Sequence, residues 1–141
     1  MSSIGAVKAA LVTILQAALP DSQVVPGPID VTTLGPRVLE VGGASTPLLF
    51  DVTDMAGLSG TETYALILTV SVSSPATALA VPEDTACGDF IAAVAAIRAN
   101  PSLGLTALNA TCTGEGELVD SSTSSARAAA VRFPVEIFTT F

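Results

Sequence analysis

The segment from Glu62 to Ser73 constrains the fold of this chain more than any other part of the sequence. Large apolar side chains recur there at every second position: Tyr64, Leu66, Leu68, Val70 and Val72. A period of two is typical of a β-strand, because successive side chains of a strand point to opposite faces of the sheet. The intervening residues are only mildly polar, so the second face can also be covered. We therefore expect this segment to form a central strand.

Two amphipathic segments flank this strand and predict helices over about residues 3–19 and 82–99. Ser2 or Ser3 is expected to cap the first helix, because a serine hydroxyl can accept a hydrogen bond from the free amides of the first turn. Pro82 suits the first turn of the second helix. Pro20 is expected to end the first helix and Pro101 the second. The expected apolar stripes are Ile4, Val7, Leu11, Ile14 and Ala18 in the first helix, and Cys87, Phe90, Ile91, Val94 and Ile97 in the second.

The remaining segments predict shorter strands and one long loop. Strand candidates lie at 23–25, 37–41, 48–52, 103–112 and 129–137. Residues 113–125 are rich in Gly, Ser and Thr, which predicts a long mobile loop. Pro134 cannot donate a backbone hydrogen bond, so the closing strand is expected at a sheet edge or with a bulge. We predict one domain over residues 1–141, with an α+β fold in which two helices pack on a mixed, mostly antiparallel sheet.

Charge and composition favour self-association and argue against nucleic-acid binding. The formal charge is −8, from 13 acidic and 5 basic residues, so the chain lacks the basic surface that displaces counterions from a nucleic acid. Only 13% of the residues are charged, against about 25% in an average globular chain, while 50% are hydrophobic. So few charges cover a free monomer poorly, and we expect apolar surface to meet other subunits.

The residue types also argue against catalysis and metal binding. The chain has no histidine, so a Ser-His-Asp arrangement is impossible. Cys87 and Cys112 have no metal-ligand spacing, and we expect them to be buried thiols and not ligands of zinc. A lysine that acts as a Schiff-base nucleophile requires burial in a pocket, whereas Lys8 is expected beside the apolar stripe of the first helix. We expect no enzyme, no metal and no cofactor, and no run approaches the ~20 apolar residues of a membrane-spanning helix.

The order of elements resembles the tail terminator proteins of long-tailed bacteriophages, of the minor tail protein U type. Four stretches carry the resemblance: the opening helix with Val7-Lys8-Ala9-Ala10-Leu11 that ends at Leu19-Pro20, the strand Tyr64 to Val70, the helix from Glu83 that continues into Ile97-Arg98-Ala99-Asn100-Pro101-Ser102-Leu103-Gly104, and the closing strand Ala130 to Ile137. The resemblance covers most of the chain, but it is a pattern of elements and not a catalytic signature. The segment between Gly42 and Gly60 is longer and less regular than the family pattern.

The resemblance implies a homohexameric ring that caps the tail tube, stops its growth and joins the tail to a head-side connector. It implies a protein of the virion tail and neck, assembled in the host cytoplasm, with DNA passing through the ring without specific binding and with no membrane partner. The family has no catalytic residues to carry over.

Two groups of residues are candidates for this assembly role. Arg132, Glu136 and Phe138 share one face of the closing strand, and we predict that they contact neighbouring subunits. Glu115, Glu117 and Asp120 are predicted to face the lumen of the ring. Another neck or tail-tube protein, a small monomeric ligand-binding module, and a secreted domain are the alternative interpretations.

Overall fold

The computed structural model describes residues 3–27, 36–44, 49–54, 59–75, 81–122 and 126–140, and these form one sheet with two helices on one of its faces. In chain order the elements are α1 (Ile4–Ala18), β1 (Gln23–Pro26), β2 (Arg37–Ala44), β3 (Leu49–Asp54), β4 (Ser59–Pro75), α2 (Pro82–Ala99), β5 (Leu108–Thr111), β6 (Glu117–Ser122) and β7 (Ala126–Thr140). The expected α+β fold is confirmed. Both expected helices and the strand candidates before β4 are also present, and Leu48 and Ser2 lie outside the described residues.

The two longest strands, β4 and β7, form the centre of the sheet. They pair antiparallel from Thr61 opposite Thr140 to Pro75 opposite Ala126, without a shift of register. Strands β2 and β3 both pair with the other side of β4, and β5 and β6 both pair with the other side of β7. Strand β1 lies outside β2 and is parallel to it. The alternating segment is therefore a central strand, as predicted, although it extends beyond both expected ends.

The helices bury apolar residues against one face of the sheet, but several members of the expected stripes lie elsewhere; in α1, Leu15 is buried and Ile14 only half-buried. Helix α1 buries Val7, Leu11 and Leu15, while Ala18 at the end of the predicted stripe is exposed. In α2, Ile91 is 66% exposed, and the small residue Ala93 is buried in the core. The core face of α2 thus combines the small residues Ala86 and Ala93 with Val94 and Ile97. The remaining core residues on the sheet are mostly the large alternating side chains of β4 and β7: Tyr64, Leu66, Leu68, Val70, Val72, Ala129, Val131, Phe133, Val135 and Ile137.

The expectation of a mobile loop over residues 113–125 was wrong for its centre. Residues Glu117–Ser122 form strand β6, which pairs with β7 from Glu117 opposite Arg132 to Ser122 opposite Arg127. Residues 123–125 lie outside the described part of the chain. The prediction failed because it weighed side-chain polarity, whereas an antiparallel ladder is stabilised by backbone hydrogen bonds that any residue except proline can donate.

The expectation of an edge position or a bulge at Pro134 was also wrong. Strand β7 lies between β4 on one side and β5 and β6 on the other. Pro134 is opposite Ile67 of β4, and on its other side it falls between Glu136, the last partner of β5, and Arg132, the first partner of β6. The proline thus coincides with the break between two short strands, where β7 has no ladder on that side to interrupt.

The strand predicted over 103–112 is shorter than expected. Leu103 and Ala107 have positive φ angles of 53° and 55°, a left-handed conformation that no strand residue adopts. The chain therefore turns through residues 101–107 and pairs with β7 only from Leu108. Among the described helices, neither has the length and apolar character needed to cross a membrane.

Candidate assembly surface

The two faces of the central sheet differ in what covers them. One face carries the core residues and packs on α1 and α2. On the other face, which we call the open face, the central side chains of β4 are half-buried, and several side chains of β4 and β7 are exposed. The open face of these two strands includes Thr63, Ala65, Ile67, Thr69, Ser71, Ser73, Ala130, Arg132, Pro134, Glu136 and Phe138. No described helix packs on it.

The predicted interface residues all lie on this open face. Arg132 and Glu136 are exposed, and Phe138 exposes 46% of its surface. Phe138 is flanked by Thr63 on β4 and Asn109 on β5, which are the residues opposite it in the two ladders. A phenyl ring exposed between polar neighbours on a rigid strand is a candidate contact for another molecule.

The predicted lumen acids do not share one surface. Glu115 lies in the segment before β6, and Glu117 and Asp120 lie within β6; all three are exposed. Because side chains alternate along a strand, residues 117 and 120 point to opposite faces. Glu117 lies on the open face opposite Arg132, whereas Asp120 lies opposite Ala129 on the helix side. The structure therefore places Glu117 beside the predicted interface group and separates it from Asp120.

The segment between β5 and β6 is hydrogen-bonded to the last turn of α2. The guanidinium of Arg98 donates from Nε to the carbonyl of Cys112 at 3.0 Å and from Nη2 to the carbonyl of Thr113 at 2.8 Å. Gly116 then passes so close to the core that a Cβ there would lie 2.9 Å from Val131 Cγ1 and 3.0 Å from Phe90 Cζ. These contacts fix where β6 begins, although the surrounding sequence is polar.

Strand β6 exposes two apolar side chains that sequence reasoning did not select. Leu118 is 47% exposed on the helix side of the strand, and Val119 is 52% exposed on the open face. In the described part of the chain no strand pairs with the outer edge of β6. The two adjacent apolar residues Leu118 and Val119 could have indicated a strand here. The many Gly, Ser and Thr residues around them favoured the prediction of a loop instead.

Two buried polar clusters join the helices to the sheet and neighbouring segments. Asp89 of α2 accepts hydrogen bonds from Arg37 of β2 and from Ser22 Oγ. The hydrogen bond to Asp89 raises the pKa of the Arg37 guanidinium above its ordinary value. These groups are engaged with one another, so we assign the cluster a structural role.

The second cluster holds the start of α1. Ser3 is the N-cap residue, but its hydroxyl makes no capping bond to the helix. Instead Ser3 donates to Glu62 Oε1 from its backbone nitrogen at 3.0 Å and from its hydroxyl at 2.6 Å, and Ser3 Oγ lies 2.8 Å from the Tyr64 hydroxyl. The expected serine cap is thus replaced by a buried carboxylate, which favours the positive end of the helix dipole. The pKa of the Tyr64 hydroxyl is raised above its ordinary value, and burial is the main cause.

The described residues do not bring together three Cys, Asp or Glu side chains in a group that could hold a metal ion. Cys112 is buried, Cys87 is half-buried, and both are free thiols. The features most suited to function in this part of the chain are thus the open face and the edge strand β6. Comparison with known proteins finds no matching family model and no detectably similar curated protein.

Proposed function

We propose that this protein is a structural subunit of a bacteriophage virion, a tail terminator that assembles into a ring, most simply a hexamer. The ring caps the tail tube, stops its growth and offers its other side to the head-side connector. The observation that carries the proposal is the open face, where Phe138 is exposed on the long strand β7, on the same side of the strand as the exposed Arg132 and Glu136. Such a surface suits contact with other subunits better than it suits a free monomer.

The shape of the sheet supports this role. Strands β4 and β7 contain 17 and 15 residues, and their ladder runs without a bulge. A long ladder is a rigid platform for side chains that must meet a partner at a fixed spacing. The acid-rich composition agrees with passage of DNA without binding, since six copies at −8 each carry −48. Acids near a channel wall repel phosphates within the screening length of about 8–10 Å.

The first test is the oligomeric state of the purified chain, measured by light scattering after gel filtration and by electron microscopy. The proposal expects a closed ring of fixed size at micromolar concentration. A monodisperse monomer whose melting temperature rises with a small ligand would favour a binding module instead. Open-ended growth of the pure protein would favour a tube subunit, because only a closed ring leaves no free patch for the next copy.

The second test addresses the terminator role itself. Polymerising tail tube protein is mixed with increasing amounts of this chain, and tube lengths are measured by electron microscopy. A terminator shortens the tubes in proportion to its ring concentration and is found at tube ends. Unchanged tube lengths with a stable ring would assign the protein to another position in the neck.

A third test measures binding of duplex DNA to the assembled protein at low salt, where attraction to any basic surface is greatest. The proposal expects no binding. Tight, salt-sensitive binding would show that the few arginines form a basic surface and would contradict passage without binding.

A further inference from the structure

Two surfaces lie at opposite edges of the sheet: the outer edge of β6, and a groove between helix α1 and strand β1. In the described sheet, β1 and β3 are the last strands on one side, and β5 and β6 are the last strands on the other. Helix α1 packs beside β1, and the groove between them is lined by Gly5, Lys8, Ala9, Val12 and Pro26. A contact between these two surfaces cannot form within one chain. It requires a second copy.

The β6 side of this pair is apolar and acidic. Leu118 is 47% exposed on the helix side of the sheet. Asp120 follows Leu118 by two residues and points the same way. Arg127 lines the same cavity as Asp120 but pairs with Glu83 at 3.8 Å, and among the described residues no Lys or Arg lies within ion-pair distance of Asp120. The edge carries the charged residues Glu117 and Asp120 but no lysine, proline or bulge.

The α1 side is apolar and carries the opposite charge. The groove has a volume of about 540 Å³, and its lining includes the small residues Gly5 and Ala9, with open space around the Cβ position of Gly5. Helix α1 contains Lys8 and no acidic residue, which makes it a positive surface in a chain of net charge −8. Lys8 is half-buried and its ammonium donates to the carbonyl of Gly27, with no carboxylate of the described residues in ion-pair distance.

The backbone of β1 and the turn before it are partly occupied by Gln16 of α1. Gln16 accepts a hydrogen bond from the amide of Val24 at 3.1 Å, and its Nε2 donates to the carbonyls of Leu19 and Ser22 at 3.2 and 2.8 Å. Pro26 has no amide to offer. A neighbouring strand therefore meets side chains of α1 at this edge, and not a free ladder of β1.

We propose that β6 of one copy seats in the α1 groove of the next copy, with Leu118 against Gly5 and Ala9 and with Asp120 paired to Lys8. Because the two surfaces differ, the contact is heterologous, and repeating it around a rotation axis closes a ring. This inference rests on the proposed self-assembly and names the subunit contact that produces it. This contact uses the edge and the helix side of β6, so the open face with Phe138 stays available for a second contact between subunits.

A charge exchange tests the pairing. We expect Lys8→Glu and Asp120→Lys each to weaken the apparent association constant by about tenfold, because each places like charges together at the contact. The double variant Lys8→Glu/Asp120→Lys is expected to recover most of the association. As a matched control, Lys8→Glu/Glu115→Lys carries the same charges but moves the new lysine off β6, and it should stay weak. Thermal melting of each variant checks that Lys8→Glu does not act by unfolding α1.

Cross-linking separates a heterologous contact from a symmetric one. Ala9→Cys and Ser122→Cys are made separately in a Cys87→Ser background, co-expressed and treated with a short bis-maleimide. The inference expects cross-linked dimers only when both variants are present. Ala17→Cys replaces Ala9→Cys as the control, since Ala17 is exposed on the same helix but outside the groove.

The outcomes separate this inference from the proposed function. A stable wild-type ring that is unaffected by both charge variants, or that is not restored by the double variant, overturns the contact and leaves ring assembly standing. Cross-linking of Ser122→Cys alone would show symmetric pairing of β6 with β6 and would also overturn the contact. A wild-type chain that stays monomeric overturns both proposals.

Discussion

Arg37 of β2 and Asp89 of α2 form a two-point ion pair across the interface between sheet and helix. The distances are 2.7 Å from Nη2 to Oδ1 and 3.3 Å from Nε to Oδ2. Asp89 is buried, whereas 33% of the Arg37 side chain remains exposed. Since Ser22 also donates to Asp89, the carboxylate joins three parts of the chain: β2, α2 and the turn after α1.

We expect Asp89→Ala to lower the free energy of unfolding by about 1–3 kcal/mol. Hydrogen bonds to charged groups stabilise by about that amount, and partial exposure lets Arg37 recover some hydration, which keeps the loss below that of a fully buried pair. Urea denaturation followed by circular dichroism gives the value. Asp84→Ala is the matched control, because Asp84 is an exposed acid in the first turn of the same helix and contributes only about 0.3–1 kcal/mol through the helix dipole. Equal losses in the two variants would contradict the role of the pair.

Stability is expected to fall at alkaline pH through Tyr64. Its pKa is raised in the folded chain, so the folded state holds the phenol proton more tightly than the unfolded state does. The resulting stability is fully present below the unfolded pKa of about 10 and is lost as the pH rises through the folded pKa. Tyr64 is the only tyrosine and the chain has no tryptophan, so tyrosinate absorbance reports this residue alone.

Tyr64→Phe provides the control for the alkaline titration. It should remove the absorbance change and flatten the alkaline decline in stability, with a loss of about 1 kcal/mol at neutral pH from the contact with Ser3. An absorbance midpoint at or below that of free tyrosine would mean that Tyr64 is solvated in solution.

Phe138→Ala is expected to weaken the oligomer. It should lower the free energy of unfolding of the subunit by less than about 1 kcal/mol, because the phenyl ring of Phe138 is half exposed. Phe133→Ala is the matched control on the same strand. Phe133 is buried and packs edge-to-face on Phe90 with ring centroids 4.9 Å apart, so its loss should cost about 3–5 kcal/mol. Gel filtration with light scattering measures assembly, and urea denaturation measures stability. Unchanged assembly in Phe138→Ala would remove this residue from the interface.

Hydrogen exchange should distinguish β6 from the segment before it. The amides of β6 that face β7 are expected to exchange more slowly than those of residues 113–116, because only the former are part of a ladder. Assembly of the chain with further copies of itself should then slow exchange of the amides on the outer edge of β6. Fast, uniform exchange from 113 to 122 would mean that β6 does not persist in solution.

The local periodicity of the sequence was enough to predict both helices, the central strand β4 and the α+β class. These elements repeat an apolar residue every two or every three to four positions, and that repeat identifies the buried face without knowledge of what covers it. That Arg132, Glu136 and Phe138 share one face of β7 also follows from alternation alone. Only the tertiary structure decided that β7 is internal, since a strand's neighbours are set by pairing with distant segments such as β4.

The position of β6 and the buried carboxylate at the start of α1 likewise depended on the tertiary structure. Strand β6 forms because Arg98 and Gly116 fix its start and β7 supplies its backbone partners, and none of these is encoded in the side chains of 117–122. Glu62 replaces the expected serine cap because β4 brings a carboxylate 59 residues away to the helix end. Local pattern thus specified which side chains are buried in regular elements, while long-range pairing specified which edges and apolar surfaces remain exposed for another molecule.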